Sequence, residues 1–453
     1  MNAPELLMPA GDPEKMRYAF AYGADAVYAG VPIFSLRARE NGFRADSLGE
    51  AIRFAHSIGK KIYLTMNIYA HNSRIDAFLN SFCAMADLEP DGFIMSDVGL
   101  INQALRMRPN AIIHLSTQAN ATNWTAVQFW RDMGIRRVVL SRELSLKEIA
   151  EIHRRVPDIE LEAFVHGSIC IAYSGRCLIS NYLSHRDANE GTCTNSCRWE
   201  YSLGVKGNGL RDTEIDKLPN DNAPYEPLKN EYYVTEQNRL EQQFELDEDE
   251  HGTYMMNSKD LCAIELLQEL VDAGVVSFKV EGRSKGLYYV AAISRAYRRA
   301  IDDLVAKRPF SSDNLREAIS PSNRTLMTGF LLRRPQEYGQ NYTDGASRAL
   351  THRYAGQVIE YRPSERKALV LLKNPVATGD ALEWMTPTDT IHATVEECFE
   401  REDGSPVRRA HGGEKVWLRC PDNISDVSLI RSPMPEEAVT SEPARTGTES
   451  VAL

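Results

Sequence analysis

Four cysteines crowd into one stretch of this 453-residue chain. Cys170, Cys177, Cys193 and Cys197 are separated by six, fifteen and three residues, while Cys83, Cys262, Cys398 and Cys420 lie scattered. Eight cysteines are too few to staple a chain of this length with disulfides, so the cluster asks for another chemistry. Four neighbouring thiolates can ligate a tetrahedral zinc ion or an iron–sulfur cubane, and the imidazoles close by in sequence are His166 and His185. The paired CxxC spacing of zinc ribbons and the CxxxCxxC triplet of radical enzymes are both absent. Spacing alone leaves zinc, an iron–sulfur cluster and four inert thiols open.

A second polar set is spread more widely. Asn67, Ser96, Asp97, Ser116, Gln118, Arg142, Glu143, His166, Glu281 and Arg283 each close a short apolar run, and Arg37 and Arg39 stand just beyond another. Guanidinium groups match carboxylates as planar forks, so Arg37, Arg39, Arg142 and Arg283 are candidates to clamp an anionic substrate. Arg37, Arg39, Asn67, Gln118 and Arg283 form the candidate substrate-binding set. His166 and Glu281, as proton-transfer groups, with Arg142 form the candidate catalytic set. The competing reading pairs strand-end Arg with strand-end Glu as structural ion pairs, and gives His166 only a hydrogen bond that holds the loop beside it.

Such residues need a frame, and eight apolar runs supply one: Leu6–Gly11, Ala26–Gly30, Lys61–Asn67, Gly92–Asp97, Ile112–Ser116, Arg137–Arg142, Leu161–His166 and Val276–Arg283. Between them lie amphipathic segments over Asp12–Tyr22, Asp46–Ile58, Val98–Met107, Trp124–Met133, Ser145–Val156, Ser258–Ala273 and Lys285–Leu304. Eight strands alternating with helices predict an α/β fold, a (β/α)8 TIM-like barrel over residues 1–347. A doubly wound open sheet is the alternative, but no Gly-rich dinucleotide turn follows the first run. In a barrel the polar set falls at the C-terminal ends of the strands, where active sites are built.

The repeat breaks after the seventh run. Residues 168–200 carry the four cysteines as an inserted cluster-binding segment, and 201–257 form an acidic insertion. Short β-like runs at Ala355–Tyr361, Ala368–Leu372, Ala381–Met385, Ile391–Val395 and Lys415–Leu418 predict a small antiparallel β-barrel domain over 348–433, with a disordered tail at 434–453. The formal charge is -11. The insertion holds 5 basic against 13 acidic residues and the tail 1 against 4, so the remainder is balanced and free to present a local basic face to nucleic acid. No run is long enough for a membrane span and no secretory leader is visible, which points to a cytoplasmic protein. Trp124, Trp130, Trp199, Trp384 and Trp417 are candidates for base stacking, the first two more naturally core.

The stretch Glu162-Ala163-Phe164-Val165-His166-Gly167-Ser168-Ile169-Cys170, followed by Ser174-Gly175-Arg176-Cys177-Leu178-Ile179-Ser180, resembles the signature of the peptidase U32 family. The similarity continues through Gly191-Thr192-Cys193-Thr194-Asn195-Ser196-Cys197-Arg198-Trp199-Glu200-Tyr201, and through Pro9-Ala10-Gly11, Tyr22-Gly23-Ala24-Asp25-Ala26-Val27-Tyr28 and Lys279-Val280-Glu281-Gly282-Arg283. Within the family the chain most resembles the bacterial branch that hydroxylates the wobble uridine of tRNA to 5-hydroxyuridine, with prephenate as the oxygen source. That resemblance implies a [4Fe–4S] cluster on Cys170, Cys177, Cys193 and Cys197, with zinc as the alternative from spacing alone. It also implies the anticodon loop of tRNA as partner and a small dicarboxylate, prephenate, as co-substrate. Four cysteine ligands leave no open iron, so the cluster would serve structurally or in electron transfer, the latter with an electron donor.

Other branches of the family act without molecular oxygen on ribosomal RNA or on quinone precursors, and the family's name carries a collagenase-like peptidase as the alternative. The chain contains neither a His-Glu-x-x-His helix nor a Gly-x-Ser-x-Gly elbow. Arg408, Arg409 and Lys415 are candidate contacts from the β domain to the tRNA backbone.

Overall fold

The structure is a computed structural model that describes residues 3–36, 41–170, 172–184, 186–190, 192, 193, 197, 232–235, 243–249, 252–254, 259–322, 325–332, 351–395 and 398–434. Arg37, Arg39, His185, Trp199, most of the acidic insertion and nearly all of the tail lie outside the described residues.

Strands β1 (Glu5–Ala10), β2 (Ala26–Gly30), β3 (Lys61–Met66), β4 (Gly92–Met95), β5 (Ile113–Leu115), β6 (Arg137–Val139) and β7 (Glu160–Gly167) lie side by side in chain order, every pair parallel. The insertion contributes β8 (Tyr232–Thr235), β9 (Gln243–Asp249) and β10 (Gly252–Tyr254) as an antiparallel unit, and β11 (Asp260–Cys262) follows. The eighth barrel strand is β12 (Val275–Val280), parallel to both β7 and β1, which closes the barrel.

The strands read as continuous apolar runs because both faces are covered. Leu6, Met8, Val27, Leu64 and Phe278 join the core beneath the helices, while Leu7, Ala26, Tyr28, Tyr63 and Ile94 pack together within the barrel. The helices are α1 (Pro13–Ala21), α2 (Ala45–Ser57), α3 (Ile75–Ala86), α4 (Val98–Met107), α5 (Trp124–Asp132) and α6 (Leu146–Arg155), then α7 (Ile179–Ser184) in the cysteine loop, α8 (Leu267–Asp272), α9 (Leu287–Val305) and α10 (Ser312–Ile319). Local capping sets their starts. Asp12 accepts from the Lys15 amide with Pro13 at the first helical position, and Ser145 and Glu148 form a capping box at α6. Asp97 accepts from the Gly99 and Leu100 amides at 2.9 and 3.1 Å, so this strand-end carboxylate caps α4.

The segment Ser258–Ala273 departs from its helical reading. Asp260–Cys262 is a strand, antiparallel to the end of β7 with Cys262 opposite His166; a 3-10 turn follows over Ile264–Leu266, and α-helix begins at Leu267. The end of β7 outruns β6, whose pairing stops at Glu162, and offers unpaired backbone groups on that edge, which a strand satisfies and a helix does not.

The C-terminal domain is an eight-stranded antiparallel sheet in the order Thr390–Thr394, Ala381–Met385, Leu429–Pro433, His352–Arg362, Lys367–Leu372, Lys415–Arg419, Phe399–Arg401 and Pro406–Val407. Its own core includes Trp384, Val370, Val416 and Ile430. Trp384 and Trp417 are buried there, and Trp130 is buried under the barrel, so burial removes all three as stacking platforms. Trp124 is half-buried against the barrel core, with the Arg155 guanidinium over its ring. The sheet docks on α1, α9 and α10. The Tyr22 hydroxyl donates to the Met385 and Val427 carbonyls at 2.7 and 2.9 Å, and Arg295 donates to the Thr386 and Asp389 carbonyls at 2.7 and 2.6 Å. Among the described residues no helix is long and apolar enough to cross a membrane.

Candidate active-site cavity and cysteine loop

The C-terminal end of the barrel holds a cavity of about 160 Å3. Its floor comes from inward residues of the strands: Tyr28 of β2, Thr65 of β3, Ile94 of β4, Val139 of β6, Phe164 of β7 and Lys279 of β12. Its wall adds Asn67, Gln118, Arg142, Glu281 and Arg283, all expected at the site. Its roof is the loop after β7, where Cys170, Cys177, Cys193 and Cys197 all line the same space.

Backbone close to backbone seals the roof. Gly175 has φ +74°, and a Cβ there would stand 2.1 Å from the Gln118 carbonyl oxygen, so this position admits glycine alone. The Asn189 amide donates to the Cys177 carbonyl at 3.3 Å and the Tyr69 amide to the Asn189 carbonyl at 3.2 Å. Among the described residues no three His, Cys, Asp or Glu side chains converge closely enough to hold a metal ion. The four cysteines suit a thiophilic centre in donor type and in facing one cavity. Ligation would require the roof loop to draw their sulfurs together.

The wall arginines have protein partners. Arg142 makes an ion pair with Glu281 at 3.0 Å and lies 3.7 Å over the Phe164 ring centroid. Arg283 is buried, donates to the Thr65 hydroxyl at 2.9 Å and to the Leu36 carbonyl, and so braces β12 against the loop after β2. The Arg–Glu pairing anticipated as the competing reading occurs at Arg142, while Arg283 is held instead by a hydroxyl and a backbone carbonyl in the same cavity wall. Asn67 accepts from the Leu36 amide at 3.1 Å and donates to Ser116 at 3.3 Å.

His166 is turned away from the cavity. Glu162 and Phe164 point into the barrel, and strict alternation would send His166 the same way. The register between β7 and β12 shifts between Lys279 and Val280, which pair with Phe164 and His166. Such a bulge moves later residues to the opposite face. His166 consequently packs against the rings of Tyr289 and Tyr297, with Nδ1 3.3 Å from the Tyr297 hydroxyl. Its catalytic assignment is corrected on this ground, because a ring buried under α9 reaches no substrate in the cavity.

Burial, with the Lys285 charge adding, pushes the His166 pKa down to about 3, and burial also holds His114 well below its usual value. An unfolded histidine takes up its proton near pH 6.5 while folded His166 stays neutral, so stability falls as pH drops below that point. The expected loss for His166 is about 2 kcal/mol between pH 7.5 and 5, measurable as a lower urea midpoint at pH 5. A His166→Gln variant should flatten this slope; equal slopes for variant and parent would contradict it.

Below the floor lies a charged layer that the sequence reading missed. Glu162, fully buried, accepts from Lys279 Nζ at 2.7 Å, Arg137 Nη1 at 3.1 Å and Ser277 at 3.1 Å. Arg137 also binds Glu5 at 2.6 Å and Glu160 at 2.8 Å. Burial alone would raise the Glu162 carboxyl, but Lys279 and Arg137 outweigh it and hold the pKa below the usual range. The signal was present in the sequence: Glu162 and Lys279 sit within largely apolar strands, and a charge inside a doubly covered strand must face a partner.

Sequence profiles of two families match the chain, Peptidase family U32 over residues 11–341 and the Peptidase family U32 C-terminal domain over residues 350–431. The tRNA hydroxylation protein P of Haemophilus influenzae is 44% identical over 436 residues, 93% of this chain and 94% of that protein. The protein of the same description from Escherichia coli is 44% identical over 440 residues, 94% and 95% of the two chains. A collagenase of Porphyromonas gingivalis is 29% identical over 445 residues, 94% and 96% of the two. Barrel, cysteine loop and C-terminal sheet together make this chain a member of peptidase family U32.

Proposed function

We propose that the protein hydroxylates the wobble uridine of tRNA to 5-hydroxyuridine, with prephenate as the oxygen source and a [4Fe–4S] cluster held by Cys170, Cys177, Cys193 and Cys197. The observation that carries the reading is the meeting of four cysteines with cationic and amide side chains in one cavity, in a chain alike over nearly its full length to two tRNA hydroxylation proteins. The cluster would supply electron transfer or structural support, and an electron donor would then be a partner. Asn67 and Gln118 offer hydrogen bonds along the wall, and Glu281, the one acidic group among the described lining residues, is the candidate to hold or release a proton beside Arg142.

An anticodon base is unpaired and can be splayed into a pocket without opening a duplex. Arg408 and Arg409, both exposed, are the stronger candidates for backbone contact, since Lys415 is engaged with Glu402 at 3.1 Å. A tRNA substrate would place the reaction in the cytoplasm.

The likeness to a collagenase favours a second reading, hydrolysis of peptides. Among the described residues no histidine lines the cavity, so the usual thiol–imidazole or hydroxyl–imidazole pair is missing there. The test is mass spectrometry of tRNA nucleosides from cells with and without the gene. Loss of 5-hydroxyuridine and its derivatives on deletion is the expected result; an unchanged nucleoside profile together with cleavage of a peptide panel would reverse the choice.

A further inference from the structure

The cavity has three basic residues on its lining, Arg142, Arg283 and Lys279, and one acidic residue, Glu281, among the described residues. Both arginines are engaged by the protein, as described above. Lys279 differs. It is 4% exposed, reaches the floor of the cavity, and its ammonium carries three N–H donors. Among the described residues, Glu162 is the hydrogen-bond acceptor at Nζ, at 2.7 Å. The Tyr28 and Phe164 rings complete its surroundings, at 4.5 and 5.7 Å from Nζ to their centroids. A buried ammonium with donors to spare at the base of a cavity is a site for an anion, and aromatic walls beside it favour a ligand with a flat apolar part.

We propose that Lys279 anchors a carboxylate of the small acid that enters this cavity, with the ligand's apolar body between Tyr28 and Phe164; this deepens the reading above and rests on it. Glu162, kept ionised by Arg137 beneath it, favours the charged ammonium and holds it in place, so Glu162 acts as a positioning residue. Burial pulls the Lys279 pKa down and the Glu162 carboxylate opposes it. The arrangement assigns the arginines to the wall and the ligand's deepest charge to the lysine. An incoming carboxylate would meet a preorganised donor with little side-chain freedom left to lose.

The experiment is calorimetric binding of prephenate, a dicarboxylate, and phenylpyruvate, a monocarboxylate of related skeleton, to purified holoprotein. The proteins compared are the parent, Lys279→Met and the double variant Lys279→Met/Glu162→Gln, which removes both charges of the pair and leaves the net charge of the layer unchanged. At least tenfold weaker prephenate binding in both variants is expected. If the anchored group is the ring carboxylate, phenylpyruvate binding stays unchanged; if it is the oxoacid carboxylate, both ligands weaken alike, and either pattern supports the proposal. Parental affinity in a folded variant overturns it and leaves the functional reading intact, as does parental affinity with loss of bound iron, which would assign Lys279 to the cluster. A parent that binds neither acid overturns the proposal together with the choice of co-substrate.

Discussion

Cys177→Ala is expected to reduce 5-hydroxyuridine in tRNA to the level of a gene deletion and to strip iron from the purified protein. The side chain lines the cavity with the other three cysteines, and its carbonyl, not its thiol, anchors the loop through Asn189. Alanine keeps that backbone bond, so the substitution removes the thiol proposed as a ligand and leaves the roof in place. A cubane held by four thiolates loses one quarter of its protein bonds, and the exposed iron becomes open to exchange and oxidation. Cys83→Ala and Cys398→Ala, outside the cavity, are the controls and should retain both iron and product. Full modification by Cys177→Ala, or stoichiometric zinc in the parent, would sink the iron–sulfur assignment. Loss of modification in the controls as well would point to folding and not to ligation.

The second large effect is on stability. Glu162→Ala is expected to destabilise the barrel by about 3–5 kcal/mol, the typical result of stranding a buried charge. Lys279 would lose its carboxylate partner, and Arg137 would keep Glu5 and Glu160. Urea denaturation of the barrel, followed by circular dichroism, reads the shift. The double variant Glu162→Met/Lys279→Met should recover most of the loss, because apolar replacement of a whole buried pair is often neutral. If the single and double variants were equally unstable, cavity formation and not charge would be the cause. The carboxylate pKa values of Glu162 and Glu5 are held down in the folded state. Their contribution is therefore complete above the ordinary carboxyl range and is lost as pH falls through the lowered folded values.

The unequal legibility of the site has a geometric cause. Each strand of the barrel could be placed from its own residues, because a parallel strand covered on both faces reads as a nearly continuous apolar run, as β4 does. The polar residues closing those runs then fell at one end of the barrel by topology alone, and Asn67, Gln118, Arg142, Glu281 and Arg283 do share a cavity. His166 failed the same rule through one register shift, visible only once β12 lies against β7. Ser258–Ala273 failed because the demand for a strand at Asp260–Cys262 comes from β7, almost a hundred residues earlier.

The sequence by itself determined the eight-strand frame, the antiparallel second domain and the four cysteines, since apolar periodicity and ligand identity are local properties of the chain. Tertiary structure alone decided which charges face each other. Arg142 met Glu281 across 139 positions and Lys279 met Glu162 across 117. Inside a barrel a charge finds its partner through closure of the sheet, and closure is a property of all eight strands together.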